Sequence, residues 1–183
     1  MKGIVFTEFL DLVEEKFGLE MVDTIISESN LESNGIYTAI GTYNFSEMLS
    51  LLKSLNKNSG IAIDDLLLVY GEHFFSVLKN SYPGILETYS DPIEMLSSIE
   101  NHIHVEVRKI YPDAELPTFF IEQKNENSLI LKYNSSRAMH SFGLGLMNKT
   151  FDFFDQKATI LVEKIKEDGT EVRFFISKNN ESR

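Results

Sequence analysis

At Pro117 the spacing of apolar residues switches from helical to alternating, and few architectures accommodate such a switch in one chain. Upstream, Val5, Phe9, Val13 and Phe17 form one helical stripe stopped by Gly18, and Met21, Ile25 and Ile26 suggest a short second helix. The stretch 36–44 is extended or irregular. Asn44 with Glu47 resembles a cap before the stripe Phe45, Met48, Leu49, Leu52 and Leu55. Ile63, Leu66, Leu67, Tyr70, Phe74 and Leu78 trace the next helix, ended by Pro83-Gly84. Asp91-Pro92 opens another, which carries Leu96, Ile99, Ile103, Val107 and Ile110 on one face and stops near Tyr111-Pro112.

Downstream, 117–123 and 128–134 read as strands joined by a polar turn at Asn125 to Asn127, and 157–166 pairs with 170–177 across Asp168-Gly169. Between the hairpins, 138–154 reads as a helix apolar nearly all round and therefore buried between layers. The expected class is α+β: a mostly helical N-terminal part followed by an antiparallel sheet with one helix packed on it. One unit spans 1–183, and the polar tail 178–183 is expected to fray.

Charge and composition then remove whole classes of function. A net charge of −11, with no basic run longer than Arg108-Lys109, lacks the footprint that nucleic acid or an anionic membrane requires. Glu8, Asp11, Glu14 and Glu15 interrupt the first apolar stretch, so a signal peptide is not expected there, and no apolar run approaches the ~20 residues that span a bilayer. A cytoplasmic location is expected. With no cysteine, any metal is held by histidine or oxygen.

Three places have chemistry in view. In 129–137, Leu129, Leu131, Tyr133, Ser135 and Arg137 fall on one strand face that begins apolar and ends in three donors. Such a set suits carboxylates or phosphates at the mouth of an apolar pocket, since arginine offers a bidentate fork and charged hydrogen bonds contribute roughly 1.5–3 kcal/mol each. A plainer account also fits: Ser135 or Ser136 caps the next helix and Arg137 lies on the surface. His102 and His104 are two apart in a helix and point about 200° away from each other, so one ion cannot take both. A helical wheel puts them on opposite flanks of the buried stripe and does not choose between them; His73 and His140 are no more informative. Gly143 and Gly145 sit inside the last helix, where each costs about 1 kcal/mol relative to alanine, which suggests that something flat or bulky approaches the backbone closely, although tight packing on the sheet explains it equally well.

Taken in order, His104 seven residues before Tyr111-Pro112, Pro117 six residues after that tyrosine, and Tyr133-x-Ser135-x-Arg137 resemble the haem nitric oxide/oxygen binding (H-NOX) domains of soluble guanylate cyclases and stand-alone bacterial gas sensors. The resemblance runs from MKGIVFTEF through the terminal hairpin. It implies a helical subdomain of about 1–60 and a haem-embracing part of about 61–183, with haem b (iron protoporphyrin IX) as cofactor. His104 is then the proximal iron ligand and His102 structural or solvent-facing; Tyr133, Ser135 and Arg137 hold the propionates, and Pro117 distorts the porphyrin. Oxygen-holding members carry a tyrosine five residues beyond the motif arginine, where this chain has Phe142, and Phe9 and Phe74 replace the tryptophan and asparagine that support it. The distal pocket is expected to consist of Val5, Phe9, Phe74, Leu78, Phe142 and Leu146, binding NO and CO while discriminating against O₂. Signalling would then pass, through a weakened iron–histidine bond, to a sensor histidine kinase or cyclic-di-GMP enzyme in trans. Catalysis is not expected, because no acid, base and nucleophile set stands out. The other open reading is a haem-free interaction module with an anion-binding pocket.

Overall fold

The computed structural model describes residues 1–179. Eight α-helices and four strands follow one another as α1 (Gly3–Phe17), α2 (Leu19–Glu28), α3 (Phe45–Ser59), α4 (Ile63–Ser81), α5 (Pro83–Leu86), α6 (Pro92–Ser97), α7 (His104–Ile110), β1 (Thr118–Lys124), β2 (Ser128–Asn134), α8 (His140–Phe153), β3 (Ala158–Lys164) and β4 (Glu171–Lys178). The boundaries have local causes. Gly18, at φ 86°, ends α1, and its N–H donates to Glu14 O at 2.9 Å. Asn44 Oδ1 accepts from Ser46 N at 3.0 Å to open α3, and Gly60 closes that helix in the left-handed region. Asp91 Oδ1 accepts from Ile93 and Glu94 N, with Pro92 at the first helical position of α6. The expected fraying of 178–183 falls largely outside the described residues; Lys178 is the last residue of β4.

The helix expected over 92–111 is not continuous. Between α6 and α7 the chain makes one π-helical turn, Ile99–Ile103, in which Ile103 N donates to Ser98 O and His104 N to Ile99 O, each five residues back. The wider turn re-aims every side chain after it, so a uniform wheel misplaces them. Ile110, assigned to the buried stripe, is 42% exposed, whereas His104 is the buried residue of α7, at 8%.

The sheet is antiparallel throughout, in the order β1-β2-β4-β3, with a bulge in β1 between Ile121 and Gln123. Its buried face carries Leu129, Leu131 and Tyr133 from β2 and Val172, Phe174 and Ile176 from β4, packed with Met147 and Phe151 of α8 and Ile93 and Leu96 of α6. Asp168-Gly169 lies inside a longer turn in which Gly169, at φ 76°, donates to Lys166 O while Ile165 and Lys166 N both donate to Glu171 O. A second core joins α1, α2, α3 and α4. Helix α8 lies between the two cores because its backbone meets that of α4 at glycines: a Cβ on Gly145 would stand 2.2 Å from Leu68 O, and one on Gly71 2.1 Å from Phe142 O. Among the described residues no helix is long and apolar enough to cross a membrane.

Candidate functional site

Helices α4 and α8, the π-helical turn with α7, and the entry to β1 enclose a cavity of about 270 Å³. One water needs only roughly 10–15 Å³ of such space. Val5, Phe74, Leu78, Phe142 and Leu146 stand along it, as do His104, Pro117, Tyr133, Ser135 and Arg137. The fold therefore brings together every expected site residue except one. Phe9 does not line the cavity: it is buried in the helical core, its ring 5.4 Å from that of Tyr70, because Tyr70 comes between it and the aromatic pair Phe74 and Phe142. The Tyr70 hydroxyl is engaged elsewhere, donating to Val5 O at 2.5 Å, and Thr150 Oγ1 donates to Leu146 O. At one edge the hydroxyls of Tyr82 and Tyr111 meet at 2.8 Å and link the end of α4 to the end of α7. Both tyrosines precede a proline and end a helix, a repeated Tyr-Pro signal that the sequence reading left unused at Tyr82.

His102 and His104 separate cleanly. His104 lines the cavity, its Nδ1 3.0 Å from Glu100 Oε1. His102 lies outside, its Nδ1 2.5 Å from the Tyr89 hydroxyl, which ties the segment after α5 to the π-helical turn. His73 stands beside Glu8 of α1 at 3.5 Å, and His140 is buried against the β3–β4 turn, 4.0 Å from Asp64 of α4.

Burial pushes the pKa of His104 below its usual 6.5, against the opposing pull of Glu100, so the ring is neutral at pH 7, the form that ligates metal. His140 is lowered too, by burial first, with Asp64 opposing. For both, the folded value lies under the unfolded one. Their contribution to stability is thus complete above about 6.5 and is lost as pH falls from there toward the folded values. The thermal midpoint of the haem-free protein is expected to drop between about pH 7 and pH 5.5, and to drop less in His140→Gln. An equal slope in the two proteins would remove His140 from this account.

The donor end departs from a simple strand face. Regular pairing stops at Asn134; Ser135 N still donates to Thr170 O, and a turn with Ala138 at φ 51° then brings Arg137 round to the cavity. Neither serine caps α8, whose N-terminal flank is Met139 without a side-chain cap; Ser135 Oγ instead accepts from Arg137 N at 3.2 Å. Tyr133 Oη accepts from Met139 N at 3.0 Å, and burial raises its pKa. The Arg137 fork holds a carboxylate, that of Glu115, through Nη2, while Nη1 donates to Glu115 O at 2.8 Å. Glu115 is 80% exposed as a side chain, so its ion pair with Arg137 sits at the solvent edge, where such pairs are weak.

These residues fit a porphyrin. Gly143 lines the cavity, and a Cβ built on it meets nothing within 4 Å, which leaves a flat wall on α8. Among the described residues no three histidine, aspartate or glutamate side chains gather into a metal cluster, and a lone imidazole retains iron firmly only when other donors arrive with the metal, as a macrocycle provides. The model of the haem-NO-binding family matches residues 2–162. The chain belongs to this family. An H-NOX protein from K. algicida, solved in its unliganded Fe(II) state, is 71% identical with a TM-score of 0.98, the match covering 100% of this chain and 99% of that one. The H-NOX from Shewanella woodyi, solved bound to IWP-051 in the Fe(II)CO state, is 35% identical with a TM-score of 0.83, covering 100% and 97%. The soluble guanylate cyclase gcy-33 of Caenorhabditis elegans is 24% identical over 176 residues, which are 92% of this chain and 18% of that protein; this H-NOX chain thus spans under a fifth of the curated relative it matches.

Glu100 and Tyr82 are the site residues that sequence reasoning missed. A carboxylate four residues before a candidate ligand was a signal available for Glu100.

Proposed function

We propose that this H-NOX chain is a ferrous-haem gas sensor of the cytoplasm that binds NO and CO, discriminates against O₂ and signals to a separate protein. The observation that carries the reading is His104: the buried residue of α7 faces an apolar cavity that ends in a carboxylate-binding fork. In this reading haem b, when bound, would supply the ferrous iron that takes diatomic gases. His104 provides the proximal nitrogen, Tyr133, Ser135 and Arg137 receive the propionates with Glu115 displaced, and Pro117 presses on the porphyrin.

On the distal side Val5, Phe74, Leu78, Phe142 and Leu146 offer no donor, and the nearby hydroxyls of Tyr70 and Thr150 are already committed. Bound oxygen carries partial negative charge that a donor stabilises, whereas NO and CO do without one, so these side chains favour NO and CO. Moving a two-state equilibrium from 1:99 to 99:1 takes about 5.5 kcal/mol, more than one hydrogen bond contributes. With haem bound, His104 would hold the iron, and the iron–histidine bond, until weakened, would be the interaction that restrains α7 against a shift. The helices up to about residue 60 and the remainder, about 61–183, are the two bodies between which such a shift registers. The receiver, a sensor histidine kinase or a cyclic-di-GMP enzyme, comes from the resemblance, and the net charge of −11 favours a basic docking face on it.

Titrating haemin into the haem-free protein tests the reading. One haem per chain is expected, with saturation at equivalence. A folded chain that stays colourless would favour the haem-free interaction module.

A further inference from the structure

We propose that Glu100 is the positioning residue for His104: its carboxylate fixes the imidazole with Nε2 aimed into the cavity and lends the ring anionic character. This rests on the reading of His104 as iron ligand. Glu100, in the π-helical turn, and His104, four residues on, lie along one side of the helix as i,i+4 residues do, with Oε1 3.0 Å from Nδ1. The same oxygen accepts from the backbone N–H of Phe119 at 2.9 Å. A main-chain donor at the start of β1 therefore holds the carboxylate, and the carboxylate holds the imidazole.

Chemistry then assigns the tautomer. A carboxylate is acceptor-only, so a neutral His104 keeps its proton on Nδ1 and presents the Nε2 lone pair to the cavity. The Phe119 ring, 6.0 Å from the imidazole, packs beside it. Both side chains are largely withdrawn from water, 10% exposed for His104 and 29% for Glu100, which strengthens the charge-assisted bond. A carboxylate on the far nitrogen raises ligand basicity and so strengthens the bond to iron.

Haem-loaded ferrous protein tests this with Glu100→Gln and Glu100→Ala, read by resonance Raman for the iron–histidine stretch and by electrochemistry for the reduction potential. Glutamine keeps a carbonyl acceptor for both donors and removes only the charge, so Glu100→Gln should retain haem while the stretch moves to lower frequency and the potential rises. Glu100→Ala loses orientation as well, and haem affinity should fall about 10–100-fold. A Glu100→Gln stretch and potential equal to those of the parent would overturn the proposal even if Glu100→Ala fails to fold. Absence of any iron–histidine stretch in the parent would instead overturn the ligand assignment, and the proposal with it.

Discussion

His104→Ala is expected to give folded protein that purifies without its Soret band. Among the described residues His104 is the only histidine lining the cavity, and in the proposed reading Tyr133, Ser135 and Arg137 would receive the propionates rather than the iron. In the proposed reading, without His104 haem would be held by burial and its propionates alone, too loosely to survive purification. The fold should survive, because His104 contributes one hydrogen bond to Glu100 and lies on the cavity side of α7 and outside both main hydrophobic cores. His102→Ala is the matched control. It loses the bond to Tyr89, worth about 0.5–1.5 kcal/mol, and should keep its haem. Full haem loading of His104→Ala with an unchanged spectrum would reject the ligand assignment.

Gly143→Ala and Gly145→Ala, two residues apart on α8, should move stability in opposite directions. At Gly145 the new methyl would stand 2.2 Å from Leu68 O and 2.8 Å from Glu72 N, both backbone atoms of α4 that no rotamer change can move aside. Overpacking of this kind costs about 1–3 kcal/mol, which outweighs the ~1 kcal/mol helix-propensity gain of alanine over glycine. A fall of several degrees in thermal midpoint follows, at roughly 2–4 °C per kcal/mol for a chain of this length. At Gly143 a methyl meets nothing within 4 Å, so the propensity gain stands alone and the haem-free protein should melt about 2–4 °C higher. The same methyl projects into the cavity and should weaken haem binding. Calorimetry of the two haem-free variants checks the signs; equal shifts would show that α8 is not held between a close partner and a slot.

Much of this architecture is legible in the sequence because local rules and tertiary packing agree there. The change of period at Pro117, the Asn44 and Asp91 caps and the two hairpins all correspond to elements of the fold. The misses share a cause. A π-helical turn is a departure from the average period, so a wheel drawn through 99–110 buried Ile110 and left His104 on a flank. Phe9 has the residue type of a pocket wall, but whether it reaches the pocket depends on Tyr70, placed there by a different helix. The paired glycines suggested a flat group or tight packing on the sheet; Gly145 packs instead on the backbone of α4, and Gly143 faces open space. Family resemblance singled out His104; Glu100 was within reach from its i,i+4 spacing, but its second partner, Phe119 N, lies 19 residues away and was not.

A buried imidazole and an apolar distal wall underlie the proposal that this chain is a haem sensor that takes NO and refuses oxygen. Its most direct test is the absorption spectrum of the ferrous protein, recorded first in air and then under NO. A spectrum unchanged by oxygen, followed by conversion to a blue-shifted five-coordinate nitrosyl band, is the expected result. A stable oxygen complex in air would contradict it.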